Sequence, residues 1–186
     1  MEERIETIYM EGKKPVFNMA NGPIPGEMHL SNGQEPCAVG VCAHLNAEDI
    51  ITATHRPHHI AVAKGVNLDK MMAEIFGKKT GLSGGRGGHM HLFDRDVNFS
   101  CSGIIAQGMG PAVGAALSAY NMPGIHIEHN CPDKIFSATK EAIDRARNGG
   151  GPTLIEIQTS RLAGHFMGDA EAYRPEGEKE QLIQED

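Results

Sequence analysis

From Thr80 to Gly114 the chain reads TGLSGGRGGHMHLFDRDVNFSCSGIIAQGMGPAVG, which gathers glycines, Arg86, His89, His91 and a helix start into one stretch. Glycine permits positive φ and close approach of a ligand, at an entropic cost that a plain connector has no reason to bear. Gly103, Gly108 and Gly110 precede Pro111, which suits a first helical turn, where unpaired N–H groups favour an anion such as phosphate. GMGPAVG misses the GxGxxG spacing by one residue and no GxxxxGK(S/T) occurs, so a purely structural turn stands as the alternative.

Two further groups sit where short β-rich runs end. Asp49–Thr54 (DIITAT) stops at His55-Arg56-Pro57-His58-His59, and TLIEIQTS, opened by Pro152, stops at Arg161–His165. In open parallel α/β sheets, ligands bind at the carboxyl ends of strands. Arg56 offers a rigid fork for phosphate oxygens, with a surface salt bridge as its alternative. His165 suits general acid or base work, with an ordinary exposed loop histidine as its alternative. The histidines also raise a metal: His55, His58 and His59 are close in sequence, and His89 and His91 would point the same way in an extended segment. With no HExxH and no zinc-finger spacing among Cys37, Cys42, Cys101 and Cys131, acid–base or hydrogen-bonding roles are expected instead.

These residues need a scaffold, and 186 residues with 40% apolar content suit one domain with a buried core. No uncharged apolar run is long enough to span a membrane. A net charge of −7 argues against broad nucleic-acid binding. The cysteines form no CxxC pair and are read as reduced thiols. MEERIETIY is acidic where a signal peptide is basic, so the cytoplasm is expected. Helices are expected over 1–12, from a cap at Ser31 or Asn32 through EPCAVGVCAHL, from Asn67 to Phe76 as a capped, plain core-facing helix, over 111–120 and over 138–147. The tail from Asp169 reads as loop with partial helix.

The segments HLSNGQEPCAVGV, DIITATHRPHHIAVAKGV, MMAEIFGKKTGLSGGRGGHMHLFD, SGIIAQGMGPAVGAAL and GGGPTLIEIQTSRLAGHFMGD follow one another in an order that resembles the alpha subunit of the thiamine-diphosphate-dependent E1 component of 2-oxo acid and acetoin dehydrogenase complexes. The resemblance implies a doubly wound, mostly parallel α/β sheet with helices on both faces. It implies thiamine diphosphate with Mg²⁺, an E1 beta partner in an α2β2 heterotetramer, and a lipoyl-bearing E2 acyltransferase. By position, His55 and Arg56 would meet the diphosphate, Gly103 and Ile105 would line the cofactor pocket, and His165 would be catalytic, with His91 a second candidate. THRPHHIAVAKGV looks closest to the acetoin branch, which implies cleavage of acetoin and transfer of its acetyl unit to a lipoyl group. Oxidative decarboxylation of pyruvate or a branched 2-oxo acid is the alternative.

One departure stands out. The family's GDG motif with its later asparagine pair, which supplies the Mg²⁺ ligands, is absent, and GAALSAY runs straight into NMPGIHIEHNCPD. The gap corresponds to roughly two βαβ units of about 30 residues each. Losing central strands would uncover buried faces, so a single domain over 1–186 with a seam near 118–121 is expected. If the sequence is continuous as it stands, a non-catalytic structural relative is the reading from another class.

Overall fold

The computed structural model describes residues 1–14, 18–105, 107 and 123–185, the last without its side chain. The helix expected over 111–120, the seam near 118–121, Gly108 and Gly110 lie outside the described residues.

Helix α1 (Glu2–Gly12) turns Ile5 and Tyr9 inward at helical spacing, and both are fully buried. Beyond it Lys13 is buried too, and its ammonium donates to the carbonyls of Met19 (2.8 Å), Ile24 (2.7 Å) and Asn21. A loop broken by prolines is thus closed around one cation whose hydrogen bonds offset its burial. Helix α2 (Glu35–Cys42) starts at Gln34 without a side-chain cap. The expected Ser31 cap is otherwise engaged: its N–H and Oγ both donate to the Glu2 carboxylate, at 2.9 and 2.7 Å.

Strand β1 (Ile51–Ala53) leads into α3 (His58–Lys64) and α4 (Leu68–Ile75). As the sequence predicts, Asn67 caps α4 by accepting from the Lys70 N–H at 2.9 Å, with Met71 and Ile75 buried. Next come β2 (Phe93–Asp94) and β3 (Phe99–Cys101), joined by a turn that closes at Asn98 with φ 53°, a conformation asparagine tolerates. β3 pairs parallel to β1 and antiparallel to β2. In the second half, β4 (Gly124–Ile127) and β5 (Leu154–Ile157) pair parallel across α5 (Pro132–Arg147), and α6 (Glu178–Glu185) ends the chain. Proline at the start of α5 suits a position with no intrahelical N–H bond, so that helix begins six residues earlier than expected.

Both parallel pairs are linked through helices, the mark of an α/β fold. Helix α2 packs on both α3 and α5 and so joins the two halves. Gly40 makes the second contact possible, since a Cβ there would stand 2.4 Å from Ile135 Cγ2. Below β1, Arg147 Nη2 donates to Asp49 Oδ2 at 2.7 Å. The core, with Met28, Leu30, Ala61, Leu92 and Phe99, fills the first half. No described helix is long and apolar enough to cross a membrane.

Candidate functional site

The site forms where β1 and β5 deliver their carboxyl-end loops to the segment Met28–Ser31. Arg56, just past β1, is buried; its Nη1 donates to the Leu30 carbonyl and its Nη2 to the His165 carbonyl. It therefore joins three segments instead of forming a surface salt bridge. Burial, then the nearby Arg161 charge, lower its pKa from the usual guanidinium value.

His29 stands at the centre, and the sequence reading missed it. Its ring lies edge-on to His55 at 4.8 Å, stacked on His89 at 5.4 Å and edge-on to His165 at 5.5 Å. The His29 backbone N–H donates to His89 Nε2 at 2.9 Å, which assigns the His89 proton to Nδ1. His29 Nδ1 is 3.2 Å from the same nitrogen and so carries a proton, leaving its own Nε2 as the lone-pair side. Burial and neighbouring positive groups keep these rings neutral: His29 is pushed down to about 4, His89 to about 2, and His55 is lowered as well. His58, fully buried, contacts Glu2 Oε1 at 3.0 Å and lies 5.6 Å from the His89 ring.

His165 is exposed at the mouth, its N–H bound to Asp169 Oδ2 at 2.7 Å. His91 is outside the imidazole group and lies against Gly103, where a Cβ would come within 3.1 Å of its Nε2. Ile105 is 67% exposed. Thus His55, Arg56 and His165 are brought together, while His91 lies against Gly103 and Ile105 is largely exposed.

The Gly-rich stretch holds a surprise. The N–H groups of its first half point at the chain's own Glu74. Helix α4 is therefore more than a core-facing helix. No three His, Cys, Asp or Glu side chains among the described residues are grouped as metal ligands. By contrast, His55 Nδ1 and Arg161 Nη1 are buried beside the buried Arg56 without a partner among the described residues. A guanidinium donor lacking an acceptor suits a bound anion.

Fold and geometry together give an α/β chain with imidazole rings gathered around a buried guanidinium at its strand ends. The Dehydrogenase E1 component family matches residues 14–119 and again 112–186, and the chain belongs to that family. It is 36% identical to the alpha subunit of acetoin:2,6-dichlorophenolindophenol oxidoreductase from Bacillus subtilis (strain 168), over 234 residues covering 89% of this chain and 70% of that protein. The same subunit from Cupriavidus necator is 30% identical with the same coverage. The pyruvate dehydrogenase E1 component subunit alpha of Porphyra purpurea is 29% identical, again over 89% and 70%. Membership implies thiamine diphosphate as cofactor. The unpartnered nitrogens around Arg56 fit its diphosphate, whereas the described residues offer no ligand set for a metal.

Proposed function

We propose that this chain is the alpha subunit of an acetoin-cleaving E1 enzyme, which releases acetaldehyde and passes the acetyl unit to a lipoyl disulfide. The observation that carries the reading is the convergence of His29, His55, Arg56 and His165 where β1 and β5 end. Acetoin is preferred because two acetoin alpha subunits are among the relatives, one at 36% identity. Thiamine diphosphate, when bound, supplies the electron sink for carbon–carbon cleavage. The chain's own residues orient and protonate: Arg161 and His55, whose nitrogens are unpartnered among the described residues, would hold the diphosphate, and Arg56 ties the neighbouring loops together. His29 Nε2 takes or returns a proton inside the site, and His165 does so at the mouth, where the lipoyl group enters.

An E1 beta subunit, in an α2β2 assembly, completes the site, and a lipoyl-bearing E2 receives the product, in the cytoplasm. Magnesium is held by a segment this sequence lacks. Two observations support an internal gap near 118–121: the alignment of 234 residues exceeds the chain's 186, and the family matches in two pieces that overlap at 112–119. The missing GDG motif also sustains the reading of a non-catalytic relative.

Mixing the chain with its beta subunit, thiamine diphosphate and Mg²⁺ decides among them. Acetaldehyde from acetoin without CO₂ supports the proposal, and CO₂ from pyruvate alone moves the chain to the pyruvate branch. Absence of cofactor binding by calorimetry, with beta present, supports the non-catalytic reading.

A further inference from the structure

Ser83 to Gly88 turns its backbone inward through Gly84 (φ 70°), Gly85 (φ 77°) and Gly88 (φ 59°). Successive N–H groups in such turns form a concave nest for an anion. The anion here is internal. Glu74, on α4 and 0% exposed, accepts on Oε2 from the N–H of Ser83 at 2.7 Å and of Gly85 at 2.9 Å. On Oε1 it accepts from the Gly87 N–H at 2.6 Å. The glycines fit this carboxylate closely: a Cβ on Gly81 would stand 2.4 Å from Oε2, and one on Gly85 would stand 2.5 Å from the Gly77 carbonyl carbon. Two residues past Gly87, His89 reaches the site and receives the His29 N–H.

We infer that Glu74 is a positioning residue, a built-in anion that holds the Ser83–Gly88 loop closed and thereby sets His89 beneath His29. A carboxylate meets three converging donors with acceptors alone; a glutamine would turn an NH₂ donor toward one of them. Because the loop geometry involves neither cofactor nor substrate, the inference stands apart from the acetoin reading, and rests on it only for its consequence in catalysis.

The test uses the full 186-residue chain without ligand. Limited trypsin digestion reads the Arg86–Gly87 bond by mass spectrometry, and NMR reads the His89 ring. In Glu74→Gln, cleavage at Arg86 rises at least tenfold, and His89, silent between pH 5 and 8 in the parent, titrates in that range. Glu74→Asp, which keeps the charge, restores most of the protection. Parent-like cleavage and a silent His89 in Glu74→Gln overturn the inference. If Glu74→Gln fails to fold, Glu74→Asp decides: a two- to fivefold rise in cleavage with a partly titrating His89 supports it, and parent values overturn it. Absence of acetoin activity in the parent, with both readouts moving in Glu74→Gln as expected, would count against the functional reading alone.

Discussion

Two loops bring histidine to the site, and each hangs on one carboxylate. The loop that carries His89 is gathered by Glu74, which is sealed from solvent, and its recorded donors are backbone N–H groups. The loop that carries His165 is gathered by Asp169, which is partly exposed to solvent. Asp169 accepts from the N–H groups of His165 (2.7 Å) and Glu171 (2.9 Å) and from the Tyr173 hydroxyl (2.8 Å), and that hydroxyl accepts in turn from Arg161 Nη2 at 3.0 Å. The hydrogen-bond inventory is nearly the same and the surroundings are opposite. Water can replace a lost acceptor at Asp169 and cannot at Glu74. The first loop is therefore held from within the sealed framework, and the second presents His165 at an exposed position.

The comparison breaks most visibly at the carboxylates. Glu74→Ala leaves three buried N–H groups without acceptors, an expected loss of about 3–5 kcal/mol, read from urea unfolding. Asp169→Ala should leave the urea midpoint close to that of the parent. Equal losses would mean that burial is not what separates the loops.

Acid gives the next largest effect. His29 and His59 are held at about 4 and His89 at about 2, in each case chiefly by burial, against about 6.5 in the unfolded chain. Between those values the unfolded state binds the extra protons. Stability is therefore complete above pH 6.5 and falls as pH drops toward 4, by about 1.4 kcal/mol per pH unit for each histidine. Burial pushes the Glu74 carboxyl up, but the N–H groups of Gly85, Ser83 and Gly87 outweigh it and hold it below its usual 4.5. Its share is lost only as pH falls below that value. Urea midpoints at pH 7.5, 6 and 5 should decline in the parent, and more shallowly in His89→Asn. An unchanged slope in the variant would show that His89 is not held neutral.

How far the sequence foretold this contrast depends on the range over which each signal acts. The α4 cap at Asn67 was legible because donor and acceptor lie three residues apart. The strand ends at His55 and Arg161 were legible because apolar β-rich runs stop there. Glu74 was not, because a single acidic residue on an amphipathic helix ordinarily faces water, and its partners lie nine to thirteen residues on, in a loop of its own geometry. Nor was His29, which sits between Gly26 and Gly33 in a segment without periodicity and gains its role only when two distant strand ends close on it. β2 and β3, two and three residues long, are too short for alternation to register.

Glycine substitutions sharpen the picture of the sealed loop. Gly81→Ala drives a methyl to 2.4 Å from Glu74 Oε2 and to 2.6 Å from the Glu74 backbone, an overpacking cost of about 2 kcal/mol. Gly84→Ala meets nothing within 4 Å and suffers only from its left-handed φ of 70°, about 1 kcal/mol. Thermal unfolding should rank the two in that order, and the reverse order would mean that backbone strain, not the fit around the carboxylate, governs the loop.

The smallest effect on stability belongs to Asp169→Asn, and it is the most informative about function. Asparagine keeps one acceptor oxygen but presents an NH₂ either at the Oδ2 position, to both the His165 N–H and the Tyr173 hydroxyl, or at the Oδ1 position, to the Glu171 N–H, so the loop retains its path while His165 loses a fixed orientation. General acid–base groups contribute roughly 100- to 10,000-fold, and partial misplacement of one should lower kcat for acetyl transfer about tenfold with KM unchanged. The urea midpoint should not move. A shifted midpoint would make Asp169 a second Glu74, and an unchanged kcat would remove His165 from proton transfer and leave that task to His29.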